Sequence, residues 1–244
     1  MRQTMAILSS DHVKMTSLLE KAISVIAPHR CIVCGKYDNV VCTACAYAMR
    51  QISEPFCVLC GRRSLNWVVC APHDSALNGV YVASQYDGVI AEMIRRFKFD
   101  HARAAATPLA AHISAALPSF DSLWLVVPVP TVASHIRERG YDHAALLGRE
   151  LAKIVGLPFK AVLRRAHNRR QIGANRAMRL KQLKGSIEVI KNCGVVGRNV
   201  LLVDDVCTTG STLVEAAQML KKAGVRQVWG AVAAWQPPKS VNKK

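Results

Sequence analysis

No stretch of this sequence approaches the roughly 20 consecutive apolar residues that a membrane-spanning helix needs. The N-terminus also lacks the build of a secretory signal. Asp11, His12, Lys14 and Glu20 interrupt it, and no small-residue cleavage site follows an apolar block. A cytoplasmic location is the resulting expectation. Negative charge is scarce: 16 Asp and Glu face 33 Lys and Arg, a formal net charge of +17. That imbalance favours a polyanionic partner, whether nucleic acid, a phosphorylated metabolite or an anionic membrane face. A solubilising basic surface is the plain alternative. Neither a Gly-x4-Gly-Lys-Ser/Thr phosphate loop nor a Gly-x-Gly-x-x-Gly dinucleotide fingerprint occurs, which excludes both of those nucleotide-binding loops. No internal repeat is visible beyond paired cysteine units.

What the chain does have is 51% hydrophobic residues over 244 positions, enough for one α/β domain and a small accessory module. Seven of its nine cysteines fall between Cys31 and Cys70, mostly as Cys-x-x-Cys pairs. Without an export signal, such pairs indicate metal ligation rather than disulfides. Cys31, Cys34, Cys42 and Cys45 offer four thiolates at structural-zinc spacing. Cys57, Cys60, Cys70 and His73 repeat the plan with an imidazole as the last ligand. One or two structural Zn2+ ions follow, with the two sets filled either sequentially or crossed. Cys193 and Cys207 read as ordinary thiols, Cys207 as a small packing residue.

Periodicity divides the rest. An amphipathic helix is expected over 13–27, within an N-terminal segment 1–28, followed by the double zinc-ribbon module 29–76. From Gly79 strands and helices alternate. Strands are expected near 80–82, 123–127, 160–165, 186–190, 199–203 and 225–234, and helices over 89–97, 102–117, 142–155 and 211–223. The alternation predicts an α/β domain, 77–236, with a mainly parallel sheet flanked by helices. A disordered tail, 237–244, is expected after it.

Asn199–Val203 is an apolar run that ends in two adjacent acids, Asp204 and Asp205. Two carboxylates at the end of a buried strand repel and desolvate each other, a poor packing choice, whereas the carboxyl edge of a parallel sheet is where such folds bind ligands. Thr208, Thr209, Gly210, Ser211 and Thr212 then lead into a helix, supplying hydroxyls, backbone N–H groups and a glycine for close approach of a phosphate. This segment resembles the signature loop of type I phosphoribosyltransferases. The resemblance implies that Asp204 and Asp205 hold the ribose hydroxyls of phosphoribosyl pyrophosphate (PRPP), that residues 208–212 cradle its 5′-phosphate, and that Mg2+ accompanies it. A second element, Pro128-Val129-Pro130 followed by Arg137-Glu138-Arg139-Gly140-Tyr141-Asp142, resembles the family's pyrophosphate loop, with Arg137 and Arg139 as the neutralising charges.

Residues 160–184 hold nine Lys or Arg and no acid. Such a stretch can close over a polyphosphate, contact nucleic-acid phosphates, or be a solvated charge run. Lys98 reads either as a ligand contact or, more simply, as a snorkelling lysine at a helix end. Taken together, the zinc ribbons, Tyr86-x-Gly88, Arg96-Phe97-Lys98-Phe99 and the two loops resemble the ComF family over about residues 30–235. That resemblance implies a phosphoribosyltransferase linked to DNA uptake in natural competence, with an unidentified nucleobase-like acceptor. Its alternatives are a non-catalytic competence factor that binds PRPP or single-stranded DNA, and a zinc-mediated interaction protein that docks on a helicase-like partner through residues 31–73. The family commonly shows Arg-Gly-Phe-Asn-Gln where this chain has Arg139-Gly140-Tyr141-Asp142-His143. The extra carboxylate of Asp142 is expected either to weaken pyrophosphate binding or to recruit Mg2+. Neither the acceptor nor the oligomeric state can be read from the residues.

Overall fold

The computed structural model describes residues 30–49, 54–166 and 187–237. The helix expected over 13–27, most of the basic stretch and the tail from 238 lie outside the described residues. The chain divides into two compact units, Met1–Tyr47 and Ala48–Lys244.

In the first unit, Cys31-Ile32-Val33-Cys34-Gly35 forms a knuckle. Gly35 N donates to Cys31 O (2.9 Å) and Cys31 N to Lys36 O (2.8 Å). Cys42 precedes a short helix, α1 (Thr43–Ala48), which carries Cys45. The second unit begins with the same device. In Cys57-Val58-Leu59-Cys60-Gly61, Gly61 N donates to Cys57 O and Cys57 N to Arg62 O, both at 2.8 Å. This second knuckle is packed into the larger unit's core: Cys57 and Val58 share an apolar cluster with Val80, Val200 and Leu213. The Phe56 ring lies 5.4 Å from that of Trp67 and 4.4 Å from that of Trp235.

The larger unit is built on a four-stranded sheet. Its strands are β1 (Gly79–Gln85), β2 (Trp124–Pro128), β5 (Asn199–Cys207) and β6 (Gln227–Trp235), in the order β1-β6-β5-β2. Every neighbouring pair is parallel. Strands buried on both faces read as continuous apolar runs, which is why Leu125–Val127 and Val200–Val203 stood out in the sequence. β5 continues past that run, because Asp204, Val206 and Cys207 still pair with Val232, Ala234 and Trp235 of β6. The acid pair therefore sits on a strand's rigid last turn of pleat rather than on a loop.

Helices α2 (Gly88–Phe99), α3 (Ala106–Ser114), α5 (His143–Val155) and α6 (Ser211–Lys222) cover the sheet. α2 buries Ile90, Met93, Ile94 and Phe97, and α6 buries Leu213, Ala216, Ala217 and Leu220, both at helical spacing. The helix expected over 102–117 is shorter: a 3-10 turn, Arg103–Ala105, precedes α3. Pro108 falls in the first turn of α3, where its missing N–H has no helical partner to lose. A further short helix, α4 (Ala133–Arg139), occupies the region that resembles the pyrophosphate loop.

The strands expected near 160–165 and 186–190 exist as β3 (Leu163–Arg165) and β4 (Ile187–Val189), but they pair antiparallel with each other instead of joining the sheet. Only Leu163 and Ile187 are buried there, and Arg164 pairs with Glu188 at 3.0 Å on the exposed side. Among the described residues, no helix is long and apolar enough to cross a membrane.

Candidate functional site

All four sheet strands end at the same edge, and the charged residues gather there. Asp204 is half-buried, and Asp205 is 1% exposed. Lys98, near the end of α2, places Nζ 2.8 Å from Asp205 Oδ1. The snorkelling expectation for Lys98 is thus corrected, because a buried carboxylate attracts the ammonium inward more strongly than the rim's water does. His143 opens α5 and is 7% exposed; its Nε2 lies 3.4 Å from Asp205 Oδ2. Nδ1 of His143 is 2.9 Å from Arg139 Nη1. A guanidinium stays protonated and only donates, so Nδ1 accepts and the ring proton sits on Nε2, facing Asp205. Burial pushes the His143 pKa down, in keeping with that neutral tautomer. Among the described residues no well-formed hydrogen bond reaches Asp205 Oδ2, because His143 Nε2 at 3.4 Å approaches it without completing one.

Burial, reinforced by the Asp205 charge, raises the Asp204 carboxyl to about 7. Asp205 N donates to Asp204 Oδ1 at 2.9 Å, which fixes the first acid against the second. A cavity of about 260 Å3 opens above the pair and is lined on its other sides by Lys98, His135, Arg139, His143 and Arg165. Acids on one wall and cations on the other suit a polyol that carries phosphates. His143, Asp204 and Asp205 each place a ligand atom within 4.8 Å of the others.

Beside this cavity, residues 206–213 form a cup of about 40 Å3. Gly210 has φ +72°, which an L side chain adopts only with strain, and it turns the chain into α6. The first-turn amides of a helix lack partners within the helix and form an anion site. Thr209 Oγ1 lies 3.0 Å from Ser211 Oγ, so both hydroxyls line the same rim. Gly210 is also tightly backed. A Cβ placed there would lie 2.6 Å from Leu59 Cδ2, on the second cysteine knuckle. Cys207 is buried, and burial pushes its thiol up to about 12, so it is a packing residue as expected.

Asp204, Asp205 and Thr212 line the main cavity, and Asp204 and residues 208–212 form the cup. Arg139 joins them, 7% exposed with its guanidinium 5.2 Å over the Phe99 ring. Arg137 does not: it lies on the exposed side of α4 and lines neither cavity. Asp142 has another use. Its Oδ1 accepts from Ala145 N (3.1 Å) and Thr131 Oγ1 (2.8 Å), capping α5, and it stays out of the cavity wall. Sequence reasoning passed over His143, whose only signal was its place at the end of the Arg-x-Arg-Gly-aromatic segment.

The cysteine sets are brought together sequentially, Cys31 with Cys34, Cys42 and Cys45, and Cys57 with Cys60, Cys70 and His73, all ligand atoms of a set within 4.8 Å of one another. Cys34 Sγ and Cys42 Sγ are 3.6 Å apart, and Cys60 Sγ and Cys70 Sγ 3.9 Å. These spacings fit the edge of about 3.8 Å that a tetrahedron with Zn–S bonds near 2.3 Å requires.

The chain is 31% identical over 223 residues to Competence protein F of Haemophilus influenzae, an alignment that covers 84% of this chain and 97% of that protein. The chain belongs to the ComF family. Two further members are similar. Competence protein ComFC of Bacillus subtilis is 31% identical, over 78% of this chain and 81% of its own length. DNA utilization protein YhgH of Salmonella typhi is 29% identical, over 78% and 88%. The family model of the phosphoribosyl transferase domain matches residues 142–244, and that of the double zinc ribbon domain matches 22–74. This ComF protein therefore has a type I phosphoribosyltransferase-like fold behind a double zinc ribbon, and the ribbon match and ligand geometry together support zinc as its metal.

Proposed function

We propose that this ComF protein binds PRPP with Mg2+ and transfers the phosphoribosyl group to a nucleobase-like acceptor. One observation carries the reading: the acid pair at the end of β5 stands between an anion cup at the start of α6 and a cavity walled by Lys98, Arg139 and Arg165. That order matches a ribose with a phosphate on one side and a pyrophosphate on the other. In this reading Asp204 and Asp205 accept hydrogen bonds from the ribose hydroxyls, residues 208–212 hold the 5′-phosphate, and Arg139 faces the pyrophosphate. Mg2+, an oxygen-seeking ion, would be held by PRPP oxygens beside the acid pair and would neutralise the leaving charge.

In the reaction the bond from the anomeric carbon to the pyrophosphate oxygen breaks and its electron pair leaves with pyrophosphate. A ring nitrogen of the acceptor bonds to that carbon, and its proton passes to solvent. The cations stabilise the departing pyrophosphate, and the acids steady the cationic sugar.

Calorimetry with PRPP and Mg2+ tests the reading. Binding in the micromolar range is expected, and none at millimolar ligand would refute it. Arg139→Lys should weaken binding about 10-fold, because a lysine loses the guanidinium's planar fork. Arg137→Ala should change it less than about twofold, the usual effect of an exposed charge. Equal effects of the two would show that the cavity does not receive the pyrophosphate.

A second reading rests on the +17 charge and on relatives named for competence and DNA utilization. In it, the chain grips single-stranded DNA and meets helicase-like partners without catalysis. Fluorescence anisotropy with a labelled oligonucleotide decides. If four phosphates are neutralised, affinity should fall about 50-fold between 50 and 200 mM salt. Affinity indifferent to salt removes this reading.

A further inference from the structure

We propose that the pocket beside the packed rings of Phe56 and Trp235 is the acceptor site and that it takes a planar heteroaromatic ring of nucleobase size. The inference deepens the PRPP reading and rests on it for its chemistry.

Displacement at the anomeric carbon requires the acceptor to enter from the side opposite the leaving pyrophosphate. The basic cavity lies over the carboxyl ends of β5 and β2, where Asp204 and Asp205 meet Val129–Val132. The strand order β1-β6-β5-β2 places the ends of β6 and β1 on the other side of the acid pair. Trp235 ends β6 and Gln85 ends β1, paired with each other in register, and Cys207 at the end of β5 pairs with Trp235 as well.

A second pocket opens at those residues, about 340 Å3 in volume and lined by Phe56, Trp235, Gln85, Arg63 and Glu54. It is separate from the donor cavity and from the anion cup, sharing no lining residue with either. Its chemistry is that of a base site. Two aromatic rings form part of the wall. The Gln85 amide and the exposed Arg63–Glu54 ion pair offer donors and acceptors that can read a base edge. A phosphate would meet a carboxylate and two rings here, which suits it poorly. The segment that carries Phe56 also carries Leu59, which backs Gly210 at the cup, so one short stretch of chain reaches both places.

Photolabelling of the full-length, zinc-loaded protein with 8-azidoadenine, in the presence of PRPP and Mg2+, tests this. Mass spectrometry should place the label on peptides covering 54–66 and 230–236, with unlabelled adenine competing. Phe56→Leu keeps an apolar side chain against Trp67 and Trp235 but removes the ring. It should lower labelling about 5-fold or more, the low end of what one base–aromatic stack contributes. Label on any other peptide, no label, or label unchanged in Phe56→Leu overturns the proposal. PRPP calorimetry on the same preparations separates the two readings. If PRPP does not bind but the label reaches this pocket, the base site stands and the donor reading falls. If PRPP binds and the label lies elsewhere, the reverse holds.

Discussion

Asp204→Asn is expected to weaken PRPP binding about 100-fold, the loss of two charge-assisted hydrogen bonds at roughly 1.5 kcal/mol each. The same substitution should make the unliganded protein more stable. The reason is the desolvation of Asp204, which raises its carboxyl from 3.8 to about 7, with Asp205 adding to the effect. An acid whose pKa is raised on folding holds more protons in the native state than in the unfolded chain over that interval. Stability therefore falls as pH rises from about 4 to 7 and is flat above it. Asparagine has no such term. At pH 8 the variant should melt at least about 2 °C above the parent, the shift that roughly 1 kcal/mol gives in a domain of this size, and the two should converge near pH 4.

Calorimetry and thermal melts across pH measure both effects. Unchanged PRPP affinity would remove Asp204 from the site. A variant less stable at pH 8 would mean the acid is held by partners rather than stranded. Asp205→Asn is a poorer test, because it leaves Lys98 without its buried partner and destabilises the fold by about 3–5 kcal/mol.

The second large effect concerns zinc. The knuckle Cys57–Cys60 has few apolar contacts of its own beyond those it makes with the sheet unit, and small cysteine modules lose their structure without metal. Leu59 reaches Gly210 from that knuckle, so an ion that shapes the knuckle would also steady the loop proposed to hold the phosphate. Cys60→Ser should increase amide hydrogen exchange at residues 208–212 about 10-fold or more and weaken ribose 5-phosphate binding by a similar factor. Leu59→Ala should retain the full zinc content, measured by metal analysis, yet show the same changes at smaller amplitude. Exchange at 208–212 unaltered in both variants would show that the cup stands without the knuckle. The exchange readout is independent of whether PRPP is the natural ligand.

Much of this protein was legible in one dimension. The two ligand sets lie within short stretches, Cys31–Cys45 and Cys57–His73, whose spacing marks the eight donors, while the structure groups them sequentially into two sets of four. The acid pair and cup are contiguous as well, because a strand, a glycine turn and a helix start are local structures that need only neighbouring residues. The convergence around Asp205 was not legible. Lys98 comes from the end of α2 and His143 from the start of α5, and a lysine at a helix end or a histidine after an aspartate carries no mark of its partner. Asp142 read as an added charge beside a pyrophosphate because its cap to Ala145 and its bond from Thr131 depend on where α5 begins. The distinction between Arg137 and Arg139 likewise waited for α4, whose turn exposes one and buries the other.

The sequence by itself determined the candidate zinc-ligand residues, the sheet's buried strands and the strand–glycine–helix segment proposed to hold a phosphate, since each is written in adjacent residues whose chemistry has few other uses. Tertiary structure decided which cations face the acids, how the second knuckle backs Gly210, and that the ends of β6 and β1 carry an aromatic pocket. Those features depend on strand order and helix docking, and packing joins residues that no local pattern connects.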